Sequence, residues 1–149
     1  MGKLEIDMNT KFANEKHRSV TNVVFTANWI KNQFESTIKP FGMSSPQFNI
    51  LRILRGAKDW LSMNEVKKRM VEKSPNTTRL CDKLYDKGFI ERVRSETDRR
   101  IISLKISAKG LHVLSQIDTA GDKNPLHFFD NITLEEANTL STILDKLRD

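Results

Sequence analysis

The sequence predicts a mainly α fold that is interrupted once, late in the chain, by a small β-hairpin. Apolar residues recur at spacings of three and four through most of the 149 residues, which lines them along one face of a helix. After Gly88 the period falls to two, with Ile102, Leu104 and Ile106 alternating with Ser103 and Lys105 as in a half-buried strand. Charge marks the same region. Residues 62–110 carry 13 Lys and Arg against 7 Asp and Glu, a surplus equal to the net +6 of the whole chain. The length fits one domain, residues 1–149, and 38% hydrophobic residues are enough for a modest core.

From Lys11 to Ile38 the residues Val20, Val23, Val24, Ala27, Ile30, Phe34 and Ile38 form the stripe of a long amphipathic helix, which Pro40 and Gly42 stop. Ser45 followed by Pro46 is a cap-plus-proline start. Phe48, Ile50, Leu51, Ile53 and Leu54 then make a helix apolar on most sides, which belongs at the centre of the fold. Trp60 and Leu61 suit a very short strand added to the hairpin. Ser62 caps a short helix with Val66 and Met70 facing inward. Ser74 and Pro75 predict the next helix start, with Thr77, Leu80, Cys81 and Leu84 inward and Gly88 as the left-handed stop. Its outward face is Pro75, Arg79, Asp82, Lys83 and Asp86, flanked by Asn76 and Thr78.

Phe89 to Arg94 is the antiparallel partner of the alternating strand, joined to it by a turn around Ser95 to Arg99. Ser107 opens a helix carrying Leu111, Leu114 and Ile117, closed by the breaker-rich Gly121 to Pro125. Thr133 with Glu136 is a capping box for a last helix bearing Leu134, Ala137, Leu140, Ile143, Leu144 and Leu147. These terminal helices, with Leu126, Phe128 and Phe129, are too apolar for isolated surface elements. Either the chain's own packing or a second copy in a symmetric dimer must cover them.

A basic helix followed by a hairpin tipped with Asp98, Arg99 and Arg100 is the focused positive footprint of a phosphate-binding surface. Arg79 is the first candidate for base readout, because a guanidinium can bond O6 and N7 of guanine together. Its alternative is an ion pair with Asp82 or Asp86. Ser74, Asn76 and Thr78, at the helix start, can reach base edges or phosphates. Lys83 suits a phosphate, and Ser62 and Asn64 at the preceding helix start suit another.

The run Asp98-Arg99-Arg100, apolar strand, Ile106-Ser107-Ala108-Lys109-Gly110, preceded by Thr78-Arg79-Leu80, Leu84 and Gly88-Phe89-Ile90-Glu91-Arg92, resembles the winged helix-turn-helix core of the MarR family of bacterial transcriptional regulators. Members usually carry D-x-R or D-R-R in the wing, then L-T-x-x-G. Ile106 and Ser107 replace the Leu and Thr, keeping an apolar strand end and a helix cap. The resemblance is strongest over residues 44–115.

It implies a DNA-binding lobe over residues 44–110 and helical dimerisation regions over residues 10–39 and 107–149. In the wing it implies that one Arg enters the minor groove while Asp98 orients it, with Arg99 and Arg100 equal candidates. An Arg gains there from the negative potential of a narrow groove. It further implies double-stranded DNA and a second copy of the chain as partners. The function implied is that of a repressor, bound to a pseudo-palindromic operator and relieved by a small, often aromatic or phenolic, effector. The sequence names no effector-pocket residue.

Other functions find less support. No Ser/His/Asp or Cys/His constellation, P-loop, G-x-S-x-G or zincin motif marks an enzyme. His17, His112 and His127 lack metal-ligand spacing, so neither metal nor cofactor is expected. Cys81, alone and on an apolar face, reads as packing and not as a redox switch. With no apolar run for a signal peptide or membrane span, the expected location is cytoplasmic. The competing function is a winged-helix protein-interaction module whose basic face meets an acidic partner without sequence-specific DNA binding.

Overall fold

The computed structural model describes residues 3–120 and 127–149 and divides into two compact units, Met1–Ser45 and Pro46–Asp149. The expected breakers at Gly121 to Pro125, together with Leu126, lie outside the described residues.

The first unit holds α1 (Lys3–Met8) and α2 (Glu15–Ile38), followed by a 3-10 turn over Lys39–Phe41. The sequence had pointed to one helix from Lys11. Instead Asn14 caps α2, its side chain accepting from the His17 N–H at 2.9 Å. The segment before it folds back as α1 because Arg18 Nε bonds Glu5 Oε1 at 2.6 Å, a contact no local pattern announces. The Arg18 guanidinium accordingly holds the Glu5 carboxyl below its usual range. Gly42, at φ +69°, ends the 3-10 turn in the left-handed region. Val20, Val23 and Val24, expected on a covered stripe of α2, are all exposed.

The helix α3 (Ser45–Ala57), which lies in the second unit from Pro46 onward, supplies buried Phe48, Ile50, Leu51 and Leu54. Ser45 is itself the first helical residue, one position inside its expected cap. The strand β1 (Leu61–Ser62) leads into α4 (Met63–Arg69), and Ser62 caps α4 by accepting from the Glu65 N–H at 3.2 Å. Next come α5 (Thr77–Asp86), β2 (Ile90–Arg94), β3 (Ile102–Ile106), α6 (Ala108–Asp118) and α7 (Leu134–Leu147). The three strands form one antiparallel sheet in the order β1-β3-β2, pairing Leu61 with Leu104 and Arg92 with Leu104. The short added strand thus lies one residue later than expected.

Core side chains of this unit come from α3, α4, α5, β2, β3 and α6, with Val66, Leu84, Leu104, Leu114 and Ile117 fully buried. In α6 the inward face is Gly110, Val113, Leu114 and Ile117, and Leu111, expected inside, is exposed. In α7 the capping box forms as expected: Thr133 Oγ1 accepts from the Glu136 N–H at 3.2 Å, and Glu136 Oε2 accepts from the Thr133 N–H at 2.8 Å. Leu134, Leu140, Ile143 and Leu147 of α7 stay exposed. Among the described residues no helix is long and apolar enough to cross a membrane.

Candidate nucleic-acid interface

The helix start at Ser74 departs from expectation in an instructive way. Ser74 Oγ does accept from the Asn76 N–H at 3.1 Å, but the Thr77 hydroxyl donates to the Ser74 carbonyl at 2.9 Å. That carbonyl would otherwise take the first intrahelical bond. The residues Pro75 and Asn76 therefore form a turn, and α5 begins at Thr77, with the Leu80 N–H donating to the Asn76 carbonyl at 3.0 Å. Ser74 shapes the entry without capping the helix. Thr77, Cys81 and Leu84 anchor α5 inward, so Asn76, Thr78, Arg79, Asp82 and Lys83 are exposed together on its opposite side.

At its other end, Gly88 at φ +76° donates to the Tyr85 carbonyl at 2.9 Å and Phe89 donates to the Leu84 carbonyl at 3.0 Å. This paired closure satisfies the last helical carbonyls and turns the chain directly into β2. Two residues from the start of α6 add to the same junction: Ser107 Oγ donates to the Gly88 carbonyl at 2.6 Å, and Lys109 Nζ donates to the Lys87 carbonyl at 2.9 Å. The hairpin's root is therefore tied to the C-terminus of α5.

Arg79 was expected either to face a ligand or to pair with Asp82 or Asp86. Asp82 is instead taken by Arg92 of β2, whose Nη1 lies 2.6 Å from Asp82 Oδ1. Among the described residues the Arg79 guanidinium has no hydrogen-bond or ion-pair partner, and neither has the Lys83 ammonium. Asn64 is exposed beside the cap residue Ser62, whose hydroxyl proton remains available to donate.

The hairpin tip is ordered by its own side chains. Asp98 Oδ1 accepts from the Arg100 N–H at 3.0 Å, Ser95 Oγ accepts from the Asp98 N–H at 3.3 Å, and the Ile101 N–H donates to the Asp98 carbonyl at 3.0 Å. Asp98 was expected to orient an arginine side chain. It acts on the main chain instead, and an Asp bonding two residues ahead is the usual way this side chain sets a turn. Among the described residues the guanidinium groups of Arg99 and Arg100 are both unpaired at the exposed tip.

Cys81 is buried, and that burial pushes its thiol up to about 11, so the reactive thiolate is suppressed. Among the described residues no group of three or more His, Cys, Asp and Glu side chains is placed to hold a metal ion. Sequence reasoning missed Arg92 and Lys109 as organisers of the interface. Both lay within runs that carry the resemblance, Lys109 in S-A-K-G and Arg92 at the end of G-F-I-E-R, but nothing local announced their partners.

A helix with one unpaired guanidinium, a hairpin tip with two, and a junction binding the hairpin root to the helix end make up this surface. The family model described as MarR family matches residues 43–102, the span that holds the helix and the hairpin tip. YpoP of Bacillus subtilis, described as an uncharacterized HTH-type transcriptional regulator, is 33% identical over 107 residues, covering 70% of this chain and 74% of that one.

The chain belongs to the MarR family.

Further relatives agree with that placement. The MarR multiple antibiotic resistance protein of Salmonella typhimurium is 26% identical over 127 residues, 84% of this chain and 88% of that one. Among solved structures, a mutant of the Escherichia coli MarR complexed with operator DNA matches with a TM-score of 0.73 at 23% identity, over 93% of this chain and 99% of that one. Staphylococcus aureus MepR in its DNA-binding conformation matches with a TM-score of 0.72 at 18% identity, over 87% and 95%. At such identities these likenesses establish the MarR winged-helix fold.

Proposed function

We propose that the chain is a cytoplasmic, sequence-specific transcriptional regulator that binds a pseudo-palindromic DNA operator as a homodimer. The observation that carries this reading is the pairing of Asp82 with Arg92, which leaves Arg79 without a partner on the exposed side of α5. An exposed arginine without an internal partner, on a helix whose other face is anchored in the core, suits the O6 and N7 edge of guanine in the major groove. Asn76, Thr78 and Lys83 lie beside it for base edges and phosphates, and Ser62 and Asn64 offer a hydroxyl and an amide to a further phosphate. One of Arg99 and Arg100 enters the minor groove, on a tip that Asp98 and Ser95 hold in shape.

The E. coli relative whose solved structure contains operator DNA shares this fold, and the E. coli relative PapX carries the name of an HTH-type transcriptional regulator. The exposed apolar residues of α2 and of α7 favour assembly with a second copy. Two α5 helices related by a two-fold axis would then meet half-sites one turn, roughly 34 Å, apart. A small aromatic or phenolic effector that prefers another separation of those helices by about 1.4 kcal/mol would weaken DNA binding tenfold, which is how such a repressor is relieved.

Selection of tight binders from a pool of random duplexes tests this directly. The expected product is a set of sites with inverted symmetry. Enrichment of no sequence over the starting pool at low ionic strength would reject sequence-specific binding and leave the protein-interaction reading in its place.

A further inference from the structure

Arg92 sits at the centre of a three-residue cluster that bridges two elements. Its Nη1 bonds Asp82 Oδ1 at 2.6 Å, and its guanidinium carbon lies 4.2 Å from the centroid of the Tyr85 ring. Asp82 and Tyr85 belong to α5, and Arg92 is the middle residue of β2, where it pairs with Leu104 of β3. A guanidinium stacked on an aromatic face while its edge binds a carboxylate is held in two directions at once, which a lysine cannot reproduce. All three residues are partly exposed, so the cluster contributes little to global stability. Its effect is on geometry. The main-chain closure at Gly88 fixes where β2 starts, and the Arg92 cluster fixes the direction in which it leaves, one turn of helix back from the junction.

We propose that Arg92 is a positioning residue that latches the hairpin to α5, so that Arg79 and the two tip arginines meet one duplex at a fixed separation without either touching Arg92. The inference rests on the proposed DNA-binding reading and gives it a sign that simple electrostatics does not. Asp82 is an exposed negative charge on the same helix as Arg79 and Lys83, and removing it should, on charge alone, strengthen binding to a polyanion. If Asp82 instead anchors the latch, removing it should weaken binding.

The test uses the full chain and the duplex selected above, titrated by fluorescence anisotropy across a salt series. Asp82→Asn and Arg92→Lys are each expected to weaken binding by roughly threefold to thirtyfold, the span of an exposed ion pair plus a cation–π contact. The slope of log affinity against log salt should match wild type, because no phosphate contact is lost. The Arg99→Ala, Arg100→Ala double variant, by contrast, should flatten that slope. Combining Asp82→Asn with Arg92→Lys should cost little more than either alone, the mark of coupled residues.

Tighter binding by Asp82→Asn, or unchanged affinity in Arg92→Lys, overturns the latch. A flattened slope in Arg92→Lys does so too, since Arg92 would then be a phosphate ligand. Hydrogen exchange without DNA separates this from failure of the DNA reading. Faster exchange in β2 and the last turn of α5 in both variants supports the latch even if no duplex is bound specifically, and unchanged exchange there rejects it.

Discussion

Arg79 and Cys81 stand two positions apart on α5 and have opposite fates, because a helix turns about 100° per residue and sends one outward and the other into the core. Arg79→Ala should erase the preference for one base pair in each half-site, a change of about 1–3 kcal/mol in discrimination, while affinity for random duplex stays close to wild type. Competition between the selected site and a site altered at that pair measures it. For Cys81, the folded protein keeps the thiol protonated up to about 11, whereas the unfolded chain ionises near the ordinary value of 9.0. The unfolded state therefore binds fewer protons between those values, and the stability present below pH 9 should decline as pH rises toward 11. Urea unfolding at pH 8 and pH 10.5 checks the sign, and Cys81→Ala should show a smaller decline. A thiol reagent should label native protein far more slowly than protein in urea.

The start of α6 shows how one short motif can serve three elements. Ser107 caps α6, accepting from the Gly110 N–H at 3.0 Å, and its hydroxyl proton goes to the Gly88 carbonyl. Lys109 reaches back to the last turn of α5, where a cation is favourable against the exposed carbonyls. Gly110 is required by space: a Cβ there would lie 2.2 Å from the Phe89 carbonyl oxygen, a main-chain atom that cannot move aside. Gly110→Ala should therefore destabilise by several kcal/mol, of the order seen for overpacked cores, and should shift the thermal midpoint down by ten degrees or so. Gly56, in α3 with nothing within 4 Å of its Cβ position, is the control. Gly56→Ala should raise stability by about 0.5–1 kcal/mol through helix propensity alone. Differential scanning fluorimetry of the pair separates a packing glycine from a merely tolerated one.

At the scale of the whole molecule, α7 has no buried residue, and its Leu140 and Ile143 are each more than half or half exposed in the single chain. A Leu140→Glu, Ile143→Glu variant should thus fold as a monomer whose unfolding midpoint no longer depends on protein concentration, halve the mass seen by light scattering, and lose far more affinity for a two-half-site duplex than for a single half-site. A variant that stays dimeric would place the assembly surface elsewhere. What the sequence determined by itself was set by neighbours within a turn or a hairpin, although the caps expected at Ser45 and Ser74 did not form and the one at Asn14 was not foreseen. The caps at Ser62, Ser107 and Thr133, the stop at Gly88, the inward faces of α4 and α5 and the alternation of β3 all depend on bonds or spacings of five residues or fewer. Tertiary structure decided the rest. The short α1 is held by Glu5 with Arg18, thirteen positions away. In α6 the spacing of Leu111, Leu114 and Ile117 was as regular as that of Val113, Leu114 and Ile117, and only the surrounding core could choose between them. The partner of Asp82 was found across a helix-to-strand junction, ten positions along, where orientation depends on the geometry of Gly88 and the register of β2 on β3. Local chemistry fixes which groups a segment must satisfy; which distant group satisfies them, and so which arginine is left unpaired, is set when the elements pack.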